Sequence, residues 1–507
     1  MKRGKKSKPA RKPGSVLLAI DQGTTGTKAV LLDESLRVLS EASREFRQHF
    51  PRPGWVEHDL DEVHASVAAA VDGALRAARV RPSSIAGIGI TNQRETTALW
   101  DRKTGKPIHR AIVWQDRRTA EDCAELRRRG LEKLFRRRTG LLLDPYFSGT
   151  KIAWLLRETR GARASAKAGK LLFGTIDTYL VWRLTGGAAH VTDVSNASRT
   201  LLMDLESSTW SEELAEALDV PTAILPEIRA NDTVFGATRG ARFLPDGIPI
   251  ASVIGDQQSA LFGQVCFSPG EAKCTYGTGA FLVLNTGSKI VRSRAGLLTT
   301  AAWMLGGKPC FALEGSTFVS GAIVQWLRDG LGIIRSSKDV NALALSVPSS
   351  DGVVLVPALT GLGAPHWDPE ARGLICGITR GTTAAHIARA ALEGIAFQVH
   401  DLVKAMERDL GHKLRSLRVD GGGAASDLLM QLQADILRLR ITRPRIRSTT
   451  ALGTALLAGL TLGIFPSRAA IRKVWKEDRS FEPAIASVER EERIRAWTRA
   501  VERSRGP

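Results

Sequence analysis

The sequence predicts an α/β protein of two related lobes, with mixed sheets flanked by helices and a cleft between the lobes. Three observations predict it. A buried run, Val16-Leu-Leu-Ala-Ile20, passes through a Gly/Thr turn, Asp21–Lys28, into a second apolar run, Ala29–Leu32. The same design returns about half a chain later, where Ala272–Tyr276 passes through Gly277-Thr-Gly279 into Ala280–Leu284. Strands and helices alternate in both halves of the chain.

The elements follow in order. The folded part starts near Ser15, and strand, short Gly/Thr loop and strand make a hairpin. Ala65–Val80 has the apolar periodicity of an amphipathic helix, and Ile85-Ala-Gly-Ile-Gly-Ile90 reads as a buried strand. Thr119-Ala-Glu-Asp122 fits a capping box opening a helix that ends near Gly130. After the second hairpin, Val353–Val356 is a buried strand and His386–Leu410 a long helix stopped by Gly411. Leu417–Val419 is a strand closed by Asp420-Gly-Gly-Gly423, and a helix starts near Ser426. The organisation expected is a basic tail over 1–14, a first lobe over 15–262 and a second over 263–507.

Composition sets the class. The 507 residues, 43% apolar and 24% charged, are ordinary for a soluble globular protein and long enough to bury a large core unaided. The five cysteines (Cys123, Cys266, Cys274, Cys310, Cys376) form no C-x-x-C, and the histidines no H-E-x-x-H. Reduced thiols, a cytoplasmic protein and no structural zinc are the expectation. The longest uncharged run, Ser448–Ser467, contains three glycines and reads as a buried helix, so no membrane insertion is expected. No apolar signal segment precedes the domain. The net charge is +20, and seven of the basic residues lie in the first fourteen, a tail expected to be disordered. No aromatic residues interleave with the tail, which argues against nucleic-acid binding as the main function.

Three Gly turns carry the chemistry: Gly23–Thr27, Gly277–Gly279 and Gly421–Gly423. Such turns at strand ends expose backbone N–H groups that can surround phosphate oxygens, and the third also leads into a helix N-terminus. Singly each is an ordinary connection; together they point to nucleotide phosphates. G-x-x-x-x-G-K-[ST] is absent and Gly87-Ile-Gly89 does not extend to G-x-G-x-x-G, so P-loop and Rossmann signatures are missing. Phosphoryl transfer to an alcohol needs a proton acceptor and a cation on the phosphates. Asp21, at the end of the first strand, suits a Mg²⁺-associated carboxylate. Asp256, after Pro249–Gly255, suits a general base held rigidly at a strand end, although on pattern alone an acidic turn residue or a helix N-cap reads slightly better. Thr91-Asn-Gln-Arg94-Glu95-Thr96 could bond vicinal hydroxyls, although taken alone a surface ion pair explains it.

These motifs together resemble the FGGY carbohydrate kinases, from about Val16 to the C-terminal helices. Two family signatures carry the resemblance, Phe147–Leu156 and Gly373–Glu393. Segments typical of the members that phosphorylate glycerol accompany them: Pro53–His58, Thr91–Thr96, Asp144–Phe147, Thr192-Asp193 with Asn196–Arg199, Gly255–Gln258, and Gly361–Pro365 with Trp367-Asp368. The resemblance implies two ribonuclease-H-like lobes of the actin type, ATP as co-substrate and Mg²⁺ as cofactor. It implies Asp256 as base and Arg94, Glu95, Tyr146, Asp256 and Gln257 as glycerol contacts. Thr24, Thr25, Gly26 and Lys28 match the first phosphate loop, and Thr278 the second. Gly321, Gln325, Gly422 and Ser426 fall where the family meets the rest of the nucleotide. A homodimer or homotetramer is compatible with it. The chain departs from the pattern in three places. It has Gly26-Thr27-Lys28 where Ser-Ser-Arg is frequent, so a bidentate fork is lost. Ser426 replaces a frequent Asn, and Gly236–Gly247 lacks the Gly-Gly-Lys run tied to fructose-bisphosphate inhibition. Two alternatives stay open: a family member acting on another polyol or ketopentose, and an actin/Hsp70-like ATPase switch.

Overall fold

The computed structural model describes residues 16–505, so the basic tail expected over 1–14 lies outside the described residues. The chain divides into two compact units, and each is discontinuous. The first contains the chain up to Val265 together with Thr300–Phe311 and Thr449–Val474; the second contains Cys266–Thr299, Ala312–Ser448 and the chain from Trp475. The sequence reading drew a single division between residues 262 and 263, whereas the chain returns twice to the first unit.

The first unit is built on a six-stranded sheet in the order Gly236–Ala237, Pro249–Gly255, Ile85–Asn92, Val16–Gln22, Gly26–Leu32, Val38–Glu45. Val16–Gln22 runs antiparallel to its hairpin partner, with Asp21 opposite Lys28. It runs parallel to Ile85–Asn92, with Asp21 opposite Thr91. Ile85–Asn92 is in turn parallel to Pro249–Gly255, with Gly255 opposite Asn92. Three parallel strands therefore end at one edge, which brings Asp21, the Asn92–Thr96 segment and Asp256 together. The carboxyl edge of such strands is where open α/β sheets bind ligands.

Apolar side chains explain the layers. Leu18, Ile20, Ile88, Ile90 and Val253 are fully buried and share a core with Val63, Val67, Ala70 and Val71 of the helix Leu60–Ala78. That helix starts at Asp59, whose carboxylate accepts from the N–H groups of Asp61 and Glu62. The uncharged run near the C-terminus forms the buried helix Thr449–Thr461. It packs on the three parallel strands and on the helix Asp256–Gly263. Thr454 Oγ1 donates to Ile90 O (3.1 Å) and shares a hydrogen bond with Ser252 Oγ (2.9 Å). No helix among the described residues is long and apolar enough to cross a membrane.

The second unit repeats the plan in a sheet whose strands run in the order Ala280–Gly287, Ala272–Tyr276, Ser416–Asp420, Arg440–Pro444, Glu477–Phe481. Ala272–Tyr276 is antiparallel to its hairpin partner and parallel to Ser416–Asp420, with Thr275 opposite Asp420. The turns after Tyr276 and after Asp420 therefore share an edge. The long helix spans Ala384–Leu410 and ends at Gly411 with φ 76°, a left-handed C-cap suited to glycine. Val354–Val356 stands apart in a two-stranded sheet with Leu374–Cys376.

One local expectation fails. The helix Ala120–Arg128 has Thr119 at its N-cap without a side-chain capping bond. The Thr119 hydroxyl is shared instead with Thr150 Oγ1 (2.9 Å), so tertiary bonding replaces the capping box.

Candidate active site

The first hairpin turn is closed by Gly23 N–H donating to Gly26 O (2.9 Å). A Cβ on Gly26 would lie 2.9 Å from Arg44 O, so the neighbouring strand admits only glycine there. Thr24 Oγ1 accepts from Trp114 Nε1 (2.9 Å), and Thr25 is exposed with its carbonyl accepting from Phe46 N–H (3.3 Å). Lys28 sits across the hairpin from Asp21.

Asp21 is the carboxylate singled out for a cation. Burial, and secondarily the negative charge of Asp256, push its pKa up to about 7, against an opposing pull from Lys28. A carboxylate strained in this way is relieved by a bound cation. One or two carboxylates alongside phosphate oxygens are the donors magnesium prefers, so the residues fit that ion. Among the described residues, no cluster of three or more His, Cys, Asp or Glu is placed to hold a metal with protein ligands alone.

A buried charge network lies beside Asp21. Arg94 is 3% exposed; its Nε meets Asp256 Oδ1 at 3.1 Å, and its Nη1 donates to Gln258 Oε1 at 3.1 Å. Gly255 makes this possible, because a Cβ there would lie 2.8 Å from Arg94 Cγ and Cδ. Glu95 is 1% exposed and has φ 61°, an uncommon conformation for a non-glycine residue. Its Oε1 accepts from Arg199 Nε at 2.6 Å. The Arg199 guanidinium lies 5.6 Å from the Tyr146 ring centroid and 5.2 Å from that of Phe147. Tyr146 meets Trp114 edge to face (5.6 Å), and its carbonyl accepts from Lys151 Nζ (2.6 Å). Lys151 is fully buried, and desolvation pushes its pKa down to about 8.

Asp256 opens the helix Asp256–Gly263, and its side chain is 30% exposed. Oδ1 accepts from the Gln257 N–H (2.6 Å) as well as from Arg94; Oδ2 receives only the long contact from Gln257 Nε2 (3.4 Å). The less committed oxygen of a half-open carboxylate can take a proton. Buried donors and acceptors around it can discriminate a polyhydroxyl substrate, since an analogue lacking a hydroxyl would leave them unpaired.

The second unit assembles its own group. Ser320 and Ala322 donate their N–H groups to Thr278 O (2.7 and 3.1 Å), and Gly321 N–H donates to Gly277 O (2.9 Å). A Cβ on Gly321 would lie 2.7 Å from Gly277 O. Gln325 is exposed one turn along the same helix, Gly321–Asp329. The Gly421–Gly423 turn packs on Tyr276, where Cβ atoms on Gly421 and Gly423 would lie 2.4 and 2.8 Å from Tyr276 atoms; Gly422 faces open space. Ser426 caps the helix Asp427–Leu437 by accepting from Leu429 N–H (3.0 Å) and donates to Asn341 Oδ1. Within each unit the expected residues thus fall at one edge.

Sequence reasoning missed Arg199, Gln258, Gly255, Trp114 and Lys151 as parts of this site. All but Trp114 lie in segments noticed above, but the partners of Arg199, Gln258 and Gly255 are remote in sequence, as with Arg199 and Glu95, 104 residues apart.

Residues 16–263 match the FGGY family of carbohydrate kinases, N-terminal domain, and residues 272–462 match its C-terminal domain. A glycerol kinase of Myxococcus xanthus is 59% identical over 490 residues, covering 96% of this chain and 99% of that one. A glycerol kinase of Trichlorobacter lovleyi is 56% identical over 492 residues, covering 97% and 99%. Among solved structures, a Plasmodium falciparum glycerol kinase with ADP superposes with a TM-score of 0.91 at 38% identity, covering 97% of this chain and 98% of that one.

Proposed function

The chain belongs to the FGGY family of carbohydrate kinases, and from that premise we propose that it transfers the γ-phosphoryl group of ATP to glycerol, giving ADP and sn-glycerol 3-phosphate. The observation that carries this reading is the half-open Asp256 paired with buried Arg94, beside the buried Glu95–Arg199 pair. It sets a base and several fixed hydrogen-bonding groups at the strand edge that also holds the first Gly/Thr turn. The identity to glycerol kinases supports glycerol over other polyols.

Asp256 is the base. Its Oδ1 is occupied by Arg94 and by the Gln257 N–H, which orients the carboxylate and leaves Oδ2 to accept the substrate hydroxyl proton. Arg94, Glu95, Tyr146 and Gln257 are assigned to the substrate hydroxyls and carbon face. Correct placement of the attacking oxygen supplies much of the acceleration in phosphoryl transfer. Thr24, Thr25, Gly26 and Lys28, with Thr278, are assigned to the phosphates. Gly321, Gln325, Gly422 and Ser426 are assigned to the rest of the nucleotide; the Ser426 hydroxyl also caps its helix. Asp21 would help hold Mg²⁺, which when bound neutralises charge on the phosphates.

A cytoplasmic location fits the five free thiols. A homodimer or homotetramer is the assembly proposed, and light scattering measures it. The test of the activity is ADP release across glycerol, dihydroxyacetone, erythritol and pentuloses. Glycerol should give the highest kcat/KM; a higher value for another polyol or pentulose moves the substrate within the family. ATP hydrolysis that is independent of any polyol would overturn the reading.

A further inference from the structure

We propose that Asp193, which touches neither substrate nor nucleotide in the scheme above, is a positioning residue that fixes Asp256 and Arg94 relative to each other. Asp193 is fully buried and accepts five hydrogen bonds, all from neutral donors. Oδ1 takes Asn196 N–H (3.2 Å) and Asn196 Nδ2 (2.7 Å). Oδ2 takes Ser195 N–H (2.7 Å), Ser195 Oγ and Asn231 Nδ2 (2.7 Å). A buried carboxylate held without a bonded cation is expensive, and a hydrophobic core would have no use for it. What it does is visible in where its donors lead.

One branch leads to the base. Ser195 Oγ, oriented by its bond to Asp193, accepts from Gly255 N–H (2.8 Å), the peptide immediately before Asp256. Asn231 Nδ2 bridges Asp193 to Val253 O (2.8 Å) on the same strand. The other branch leads to Arg94. The amide of Asn196 exchanges hydrogen bonds with that of Asn92 in both directions (3.0 and 3.1 Å). Asn92 Nδ2 then donates to Gln93 O (2.8 Å), the carbonyl next to Arg94. The two strands ending in Gly255 and Asn92 are thereby tied at their active-site ends to one carboxylate. The pairing between these two strands ends there, since Gly255 and Asn92 are its last pair. Beyond that point the Asp193 network joins the Arg94 contacts to Asp256 and Gln258 in holding the two segments in registry.

This inference rests on Asp256 as the base, so Asp256→Asn is assayed alongside. Ser195→Ala cuts only the branch to Asp256, and Asn92→Ala only the branch to Gln93 and Arg94. Ser195→Ala is expected to lower kcat about tenfold with the KM for glycerol within about twofold, whereas Asn92→Ala raises that KM about tenfold. Asp193→Asn, if it folds, combines both losses. The values are taken per folded molecule, with melting temperature and ADP binding measured on the same samples. A merely structural role would lower the melting temperature and leave kcat and KM per folded molecule unchanged in both variants, and that result overturns the proposal. Near-normal turnover in Asp256→Asn would instead overturn the assignment of the base, whatever the other variants do.

Discussion

At the scale of single residues, the two carboxylates of the site are treated differently by their surroundings. Asp256 is tied to Arg94, whereas Asp21 is half-buried close to a second negative charge, and desolvation with that charge raises its pKa to about 7. The folded-state value lies above the ordinary 3.8, so folding takes up a proton between roughly pH 4 and 7. The stability linked to Asp21 is therefore complete below about pH 4 and is lost as pH rises through 7. Two outcomes are expected. Asp21→Asn should raise the melting temperature of the ligand-free protein at pH 8 and not at pH 4. Mg-ATP binding by the natural protein should weaken as pH falls below 7, because the metal must displace a proton; calorimetry across pH 5.5–8.5 measures it. Gly255 offers a second residue-scale test. Its φ of −61° suits any residue, so the obstacle to alanine is the 2.8 Å approach to Arg94, with Gln258 Oε1 at 3.1 Å. Gly255→Ala should lower kcat/KM for glycerol by about a hundredfold through displaced Arg94 and leave ADP binding intact. The placing of Asp21, Arg94 and Asp256 at or just beyond strand ends was legible in the sequence, whereas the roles proposed for Arg94 and Asp256 came from the family resemblance. Arg199 was not: nothing local distinguishes it from a surface arginine until the fold sets it on Glu95.

At the scale of elements, the site depends on a close helix crossing behind it. A Cβ on Gly453 would lie 1.8 Å from Ser259 O, and one on Gly263 would lie 2.1 Å from Thr449 O. The helix Thr449–Thr461 therefore meets the helix that begins with Asp256 backbone to backbone. Gly453→Ala should cost about 1–3 kcal/mol by overpacking and lower kcat as well, since the displaced helix carries the base; denaturant unfolding and kinetics on one preparation check both. The uncharged run announced a buried helix correctly, because only an apolar segment can pack on three strands at once. Its glycines were read there as evidence against a bilayer span, and their packing role needs the partner helix to be seen. The capping box at Thr119 failed for the opposite reason. A local pattern was read as self-sufficient, and a tertiary partner, Thr150, took the hydroxyl.

At the scale of the whole molecule, the repeated hairpin design was visible in the sequence, and it is realised as a strand antiparallel to its hairpin partner and parallel to a later strand in each unit. The discontinuity of the units was not visible, because the return of Thr300–Phe311 and Thr449–Val474 to the first unit is a matter of remote contacts. The same holds for the Asp193 network, whose link between Asn92 and Asn196 spans 104 residues. In the function proposed above, these features jointly serve one carboxylate held at a strand edge to deprotonate a hydroxyl. The most direct measurement is Asp256→Asn, with glycerol binding by calorimetry and phosphoryl transfer by product release. Binding should be retained while kcat falls by about 10³-fold or more. A variant that keeps near-normal turnover would contradict the account.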